Sequence, residues 1–287
     1  MDIKNLREAV DEAAAWATRI RRELHRWPEI GNEEDRTATL IEACLDELAV
    51  PHTRVLSHTV VGTHRTDKIE GRKQMCLALR ADIDALKIQE NTTVPFKSQR
   101  KGYMHSCGHD VHTAVLLGTA RVISEIGDTL NANLKYIFQQ DEEGDGKGKD
   151  VAGTGVLDDV DTVLGLHVKP ELPAGSVGLK YGKMHAASLM VDIIIVGRMS
   201  HGACPHKGAD ALHAAAHVIA AASGITGCLM NPVGPAVVSF GKITGGTARN
   251  VIADHVDIQG IIRGEDERAC EAIAKHLFRI AEHTAAA

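Results

Sequence analysis

Apolar strand segments alternate with helical segments in the first half of this sequence, and that alternation constrains the fold more than any other feature. The apolar segments of strand length are MCLALRADID (75–84), NLKYIFQQ (133–140) and TVLGLHV (162–168). Helical periodicity is found at 3–24, 35–48 and 112–127. Strands that alternate with helices favour an α/β fold, in which an open mixed sheet carries helices on its faces.

The pattern changes in the second half, after the segment VKPELPAGSVGLKYG (168–182). The predicted elements there are strands at 188–198, 237–246 and 255–264 and helices at 209–225 and 267–284. Their order, β-α-β-β-α, is that of an α+β ferredoxin-like unit without its last strand. We therefore predict two domains, over residues 1–184 and 185–287.

Charge and composition exclude several classes of protein. The formal net charge is −6 and aromatic residues make up 3% of the chain, which argues against a nucleic-acid partner. The first residues are charged throughout, and no segment reaches 18 uninterrupted apolar residues, so we expect neither a signal peptide nor a membrane span. Six cysteines are scattered without CxxC pairs. We expect a cytoplasmic protein without a disulfide framework.

The chain contains 16 histidines, more than core packing requires, and histidine is the commonest metal ligand. In MHSCGHDVH (104–112), Cys107 and His109 lie two residues apart, so that a thiolate and an imidazole can reach one zinc-like ion. Asp110 and His112 are candidates to orient these ligands. The alternative is that the histidines and the cysteine are structural.

Three further groups carry possible chemistry at predicted strand ends. Glu142 and Glu143 follow one strand, and adjacent residues at a strand end point to opposite sides. One carboxylate can then ligate a metal while the other acts as a general base. His167 ends another strand, and Asp82 in RADIDAL can hydrogen-bond a ligating histidine. The structural alternatives are a solvated acidic turn, a core histidine and an ion pair of Asp82 with Arg80.

The order of these motifs resembles the aminoacylase/carboxypeptidase family of co-catalytic metallopeptidases. Within that family it is similar to the amidohydrolase branch of hippurate, N-acyl-amino-acid and indole-acetyl-amino-acid hydrolases. The stretches that carry the resemblance are RRELHRWPEIGNEE (21–34), LALRADIDALKIQE (77–90), MHSCGHDVHTAVLLGTA (104–120), IFQQDEEGDG (137–146), LGLHVKPELPAGSVGLKYGKMHA (164–186), GRMSHGACPHKGAD (197–210) and GKITGGTARNVIADHVDIQGIIRG (241–264). The resemblance covers nearly the whole chain.

The resemblance implies roles for residues in the first domain. It assigns four metal ligands, which are Cys107, His109, Glu143 and His167. It makes Glu142 the general base that activates water. The cofactor implied is a pair of divalent ions, Mn, Zn or Ni, and the implied substrate is an acylated amino acid.

The second domain resembles the family's lid, which joins two copies into a homodimer. His201 matches a position that reaches the partner's site and donates to the oxyanion. Asn250 and Arg263 match positions that hold the free carboxylate of the substrate. The structural alternatives are a surface histidine for His201 and a surface cation for Arg263.

Two departures from the family pattern set expectations of their own. The resemblance implies further strands and another ligating histidine after the lid, whereas this sequence stops at Ala287. The four remaining ligands suffice for one tetrahedral ion, so we expect one or two ions. The family also has Pro and Ala where this chain has Gln140 and Asp141, which predicts a looser turn before the acidic pair.

These observations leave three hypotheses. The first is a metal-dependent amidohydrolase that acts on N-acyl-amino acids, with Glu142 as the general base. The second is a truncated, inactive paralogue or fragment that serves as a dimeric binding or scaffold protein. The third is a dipeptidase or aminopeptidase on the same architecture. A cysteine hydrolase is disfavoured because Cys107 and His109 are too close in sequence to face each other as nucleophile and base.

Overall fold

The computed structural model describes residues 3–66, 75–126, 130–231, 234 and 236–286. The chain forms two compact units, Met1–Ala174 and Gly175–Ala287, here called unit 1 and unit 2. The domain boundary predicted from the sequence, after residue 184, lies ten residues after the division between the two units, which follows Ala174. It remains a prediction.

Unit 1 is built on an open mixed sheet, as the sequence predicts. Its strands are β1 (His52–Arg54), β2 (Val60–His64), β3 (Met75–Asp82), β4 (Ala132–Gln139) and β5 (Thr162–Gly165). Their order across the described sheet is β1-β2-β4-β3-β5. Strands β4, β3 and β5 are parallel, whereas β1 and β2 join antiparallel at one edge. This mixed α/β fold class is confirmed, although β1 and β2 were not predicted.

The helices of unit 1 pack around this sheet. They are α1 (Ile3–Arg26), α2 (Asp35–Glu47), α3 (His109–Ile126) and the short α4 (Gly148–Gly153). Helix α3 begins three residues earlier than predicted, at His109 itself, and its predicted end at residue 127 lies outside the described residues. The core between these elements includes Ile41, Leu45, Leu117, Tyr136 and Phe138, all fully buried. Burial of side chains of this size stabilises the sheet of unit 1.

Unit 2 has the predicted ferredoxin-like arrangement of strands and helices. Its main elements are β6 (Ala187–Val196), α5 (Ala211–Gly224), β8 (Ala236–Gly245), β10 (His255–Gly264) and α6 (Glu267–Ala286). The three strands form an antiparallel sheet in the order β6-β10-β8. Short strands β7 (Ser200–His201) and β9 (Val251–Ile252) pair separately. Both helices pack on a core that contains Ile258, Ile262 and Ile273, each fully buried.

Helix α5 and the π-helical turn that follows it, Ile225–Leu229, form one apolar stretch. Ala211–Leu229 has the length and the hydropathy of a helix that can cross a membrane, with a mean hydropathy of 1.4. Its inner face, which includes Ala215, Val218 and Ile225, is fully buried in the core of unit 2. The buried part is 22% of the apolar stretch, so packing within unit 2 accounts for one face of it.

Candidate metal centre

The polar residues of unit 1 gather where its parallel strands end. Asp82 ends β3 and Asp84 follows it, Glu142 and Glu143 follow β4, and His167 follows β5. Because the carboxyl ends of parallel strands share one edge of a sheet, these side chains lie in one region. Helix α3 begins there as well and adds its first residue, His109.

His109 is the centre of this cluster. Its side chain is 1% exposed, and its Nδ1 donates to Asp84 Oδ1 at 3.0 Å. Its Nε2 is buried and has no hydrogen-bond partner among the residues that the structure describes. A carboxylate on Nδ1 fixes the tautomer and leaves the lone pair of Nε2 free, which is the arrangement that a metal-ligating histidine needs.

Cys107 and His167 complete one side of the cluster, with 3.3 Å between Cys107 Sγ and His167 Nε2. Cys107, His109 and His167 each offer a ligand atom within 4.8 Å of the others. Burial, and next the carboxylate of Glu143, raise the pKa of the Cys107 thiol to about 12. A cation in the cluster would offset that effect, because positive charge favours the thiolate.

Gly108 lies between the candidate ligands Cys107 and His109, at the start of α3. Its φ is +94°, a conformation that favours glycine. A Cβ at this position would lie 2.4 Å from Val168 Cγ2, in the segment that follows His167. The loop of Cys107 therefore packs directly against the segment that carries His167.

The acidic pair differs from the prediction. Glu142 and Glu143 do not point to opposite sides, because β4 ends at Gln139 and the pair lies in the following turn. Glu143 Oε1 is 3.8 Å and Glu142 Oε2 3.9 Å from His109 Nε2. Of the two, Glu143 contributes more to raising the pKa of the Cys107 thiol, after burial. Glu142 is the more exposed, at 43% against 27%, and burial with the charge of Glu143 raises its pKa.

Asp84 is a candidate functional residue that sequence reasoning missed. It lies two residues after Asp82 in the same RADIDAL segment and is buried. Its Oδ1 accepts from His109 and its Oδ2 accepts from the backbone N–H of Glu143 at 2.9 Å. One carboxylate thus positions two candidate ligands. The signal available in the sequence was the second aspartate of the RADIDAL motif, two residues after Asp82.

Asp82 and His112 orient the opposite side of the cluster. His112 Nδ1 donates to Asp82 Oδ1 at 2.6 Å, and His112 Nε2 accepts from the backbone N–H of Val168 at 2.9 Å. Burial opposes ionisation of Asp82, but the hydrogen bond from His112 and the charges of His109 and Arg80 lower its pKa to about 2. The predicted hydrogen bond from Asp82 to a ligating histidine is not formed, because Asp82 bonds His112 and Asp84 bonds His109. The alternative, an ion pair of Asp82 with Arg80, exists at 2.7 Å. His112 therefore positions the segment that carries His167.

Asp110 turns away from the candidate ligands. Its Oδ2 accepts from His25 Nδ1 at 2.8 Å and forms an ion pair with Arg21, whose Nε lies 2.7 Å away, and both of these partners lie on α1. Its side chain is fully buried. Asp110 thus anchors the first turn of α3 to α1 and supports His109 through the backbone rather than by a direct hydrogen bond.

Asp141 holds the turn that carries the acidic pair. It is 2% exposed and its φ is +50°, a left-handed conformation. Its Oδ2 accepts from Asn32 Nδ2 at 2.7 Å, and its backbone N–H donates to the buried carboxylate of Glu34 at 2.8 Å. Burial raises the pKa of Glu34 to about 7. The sequence predicted a looser turn, whereas the structure shows one that Asp141 fastens to the segment after α1.

We expect Asp141→Ala to weaken binding of Mn²⁺ or Zn²⁺ about 10- to 100-fold, because residues that support metal ligands have effects of this size. Alanine loses the bond to Asn32 and is disfavoured at positive φ. Asp141→Asn is the matched control, since asparagine tolerates this conformation and retains an acceptor oxygen. Isothermal titration of each variant with metal measures the effect. Equal affinity in wild type and Asp141→Ala would contradict this role.

The predicted residues of unit 2 fall into two places. His201 and Asn250 are neighbours, because the N–H of Gly202 donates to the carbonyl of Asn250 at 2.8 Å. His201 Nδ1 accepts from the backbone N–H of Ala203 at 3.1 Å, so its proton resides on Nε2, which becomes a donor. Arg263 lies on β10 with its side chain exposed.

Comparisons with known proteins identify a matching family and several relatives. A family model described as peptidase family M20/M25/M40 matches residues 78–286. The chain is 40% identical over 268 residues to N-acetyl-L-cysteine deacetylase of Bacillus subtilis (strain 168), covering 93% of this chain and 64% of that protein. It is 36% identical over 281 residues to N-acyl-L-amino acid amidohydrolase of Geobacillus stearothermophilus, covering 98% and 75%.

Solved structures show the same similarity. The chain matches the Bacillus subtilis YXEP protein, described as a dinuclear metal binding peptidase from the M20 family, with a TM-score of 0.74 and 33% identity. The match covers 96% of this chain and 71% of that one. The chain spans 64% and 66% of the length of the first two curated relatives that it matches.

Proposed function

Because the chain belongs to peptidase family M20/M25/M40, we propose that it is a metal-dependent amidohydrolase that cleaves the amide bond of N-acyl-amino acids. The observation that carries this proposal is the buried Nε2 of His109, which has no hydrogen-bond partner in the described part of the chain and lies among a thiol, an imidazole and carboxylates. Relatives whose names specify removal of acyl groups from amino acids support the substrate class.

The donor set fits a divalent transition metal. We propose that Cys107, His109, Glu143 and His167 hold one or two ions, of Mn, Zn or Ni. Sulfur and nitrogen donors with a carboxylate suit these borderline metals better than Mg²⁺ or Ca²⁺, which prefer oxygen alone. When bound, the metal would supply Lewis acidity, which lowers the pKa of water and stabilises negative charge on a carbonyl oxygen.

Glu142 is the proposed general base. Its carboxylate lies beside the cluster, with Oε2 3.9 Å from His109 Nε2, and is the more solvent-exposed of the acidic pair. Burial and the adjacent charge of Glu143 raise its pKa, which makes the carboxylate a stronger base for accepting a proton from water. The same group can return that proton to the departing amine, so that one residue serves both halves of the hydrolysis.

We also propose roles in unit 2. The Nε2–H of His201 would donate to the oxyanion, and Asn250 and Arg263 would bind the free carboxylate of the amino acid, for which a planar guanidinium is suited. These roles rest on the family resemblance of their segments. We propose a homodimer formed through unit 2 and a cytoplasmic location. All six cysteines are free, which suits a reducing compartment.

The test is an assay of the purified chain with Mn²⁺, Zn²⁺ or Ni²⁺ against hippurate and a panel of N-acetyl-amino acids, with elemental analysis of bound metal. We expect hydrolysis that a chelator abolishes and that added metal restores, because the nucleophilic water depends on Lewis acidity. A free dipeptide is the control substrate. Stoichiometric metal without hydrolysis of any acyl-amino acid would reject this function and favour a binding or scaffold protein, whereas preferential cleavage of the dipeptide would favour a peptidase.

A further inference from the structure

Two histidines of unit 2 face each other on the outer surface of α5. His213 and His217 are four residues apart, which places them on one face of the helix. Their Nε2 atoms are 3.1 Å apart, their ring centroids 4.5 Å apart, and the rings are inclined at 71°. Both side chains are exposed. Neither belongs to the candidate metal centre, so the pair needs an explanation of its own.

The distance between the two nitrogens matches that of two ligands on one ion. Imidazole nitrogens bind zinc at about 2.0–2.1 Å. Two nitrogens that are 3.1 Å apart and each about 2.05 Å from one ion subtend an angle of about 98° at that ion. This angle lies between the octahedral and tetrahedral values. The separation of the two nitrogens is therefore compatible with both of them binding one ion.

The local sequence supports the geometry. Three alanines, residues 214 to 216, separate the pair, so the helix is intrinsically stable at this point. Asp210 caps the helix, because its Oδ1 accepts from the backbone N–H of His213 at 3.0 Å. The cap fixes the first turn, where His213 lies. Both rings thus project from a rigid element, which lowers the entropic cost of chelation.

The surroundings supply further imidazoles. An open groove of about 1060 Å³ in unit 2 is lined by residues of α5 and α6, among them His213, His217, His276 and His283. Four of the chain's 16 histidines therefore line one groove. Arg279 also lines it and is the unfavourable element, since its charge opposes a cation. Neutral imidazoles bind the later transition metals well even so, because their affinity comes from donation of a lone pair.

We propose that His213 and His217 form a second transition-metal site, which binds Cu²⁺, Ni²⁺ or Zn²⁺ and shares no residue with the candidate metal centre. An all-imidazole site selects these ions over Mg²⁺ and Ca²⁺. Affinity should follow the general order for divalent metals, with Cu²⁺ tightest and Ni²⁺ and Zn²⁺ weaker. The proposal is independent of the hydrolytic activity proposed above.

The experiment compares the full chain with the double variant His213→Ala/His217→Ala. Alanine at these exposed helix positions favours the helix, so the variant should fold, which circular dichroism checks. The matched control is His185→Ala/His206→Ala, which removes two other exposed histidines of unit 2. Titration with Cu²⁺ and Ni²⁺, followed by calorimetry and by the nitrogen hyperfine structure of the Cu²⁺ electron paramagnetic resonance spectrum, counts the ions and identifies their ligands.

We expect wild type and the control to bind one more equivalent of Cu²⁺ than the His213→Ala/His217→Ala variant, with a spectrum of two coordinated imidazoles. Each single variant should bind that ion at least about 100-fold more weakly, because linked ligands gain this much from effective concentration. The same stoichiometry and affinity in wild type and the double variant would overturn the site. Hydrolysis of N-acyl-amino acids should be equal in all these variants, so failure of this site and failure of the proposed function are distinguishable.

Discussion

Glu142→Gln is expected to lower the rate of N-acyl-amino-acid hydrolysis about 100- to 10,000-fold while the divalent metal content stays unchanged. Removal of a general base has effects of this size. Glutamine keeps the shape of glutamate but cannot accept a proton from water. The carboxylate of Glu142 is partly exposed. Among the described ion pairs, its single contact with the cluster is the one with His109 Nε2, at 3.9 Å. Loss of its charge should therefore leave the ligands in place.

Glu143→Gln is the matched control, because it changes the adjacent carboxylate in the same way. Glu143 lies 3.8 Å from His109 Nε2 and is the less exposed carboxylate of the pair, at 27% against 43%, so we expect this variant to lose metal together with activity. Steady-state kinetics and elemental analysis of both variants separate a base from a ligand. If Glu142→Gln lost metal and Glu143→Gln kept it, the two assignments would be reversed.

The sequence predicts the frame of this site better than its finest geometry. Alternating apolar and helical segments were sufficient to predict β3, β4, β5 and the mixed α/β fold. Strands β3 and β4 are largely buried, and buried parallel strands require long apolar runs. Short edge strands such as β1, with three residues, carry too few apolar positions to be distinguished from a loop.

The directions of side chains in turns were the less predictable part. The sequence suggested that Glu142 and Glu143 diverge, because a strand alternates its side chains. The strand ends at Gln139, three residues before Glu142. Asp141, in a left-handed conformation, then redirects the chain so that both carboxylates lie within 4 Å of His109 Nε2. Likewise Asp84, rather than Asp82, accepts from the Nδ1 of His109. That choice depends on tertiary packing, which local patterns do not encode.

His109→Ala is expected to abolish metal binding and hydrolysis together and to lower the free energy of unfolding by about 3 kcal/mol. Among the described residues, His109 belongs to each of the three clusters of three or more His, Cys, Asp and Glu side chains whose ligand atoms lie within 4.8 Å of one another. It is also the partner of Asp84, whose side chain is fully buried. Removing the imidazole leaves the buried carboxylate of Asp84 uncompensated, and an uncompensated buried charge typically costs about 3–5 kcal/mol. Chemical denaturation with and without metal, together with elemental analysis, measures both effects.

His112→Ala provides the comparison that separates ligation from packing. His112 is as buried as His109, at 1% side-chain exposure, and is likewise paired with a buried aspartate. Both of its ring nitrogens are already engaged, by Asp82 and by the N–H of Val168, so it has no lone pair to offer an ion. We expect a similar loss of stability, but metal affinity that is only about 10- to 100-fold weaker, as for other residues that orient ligands. If both variants lost metal to the same extent, the free Nε2 of His109 would not be the feature that recruits the ion.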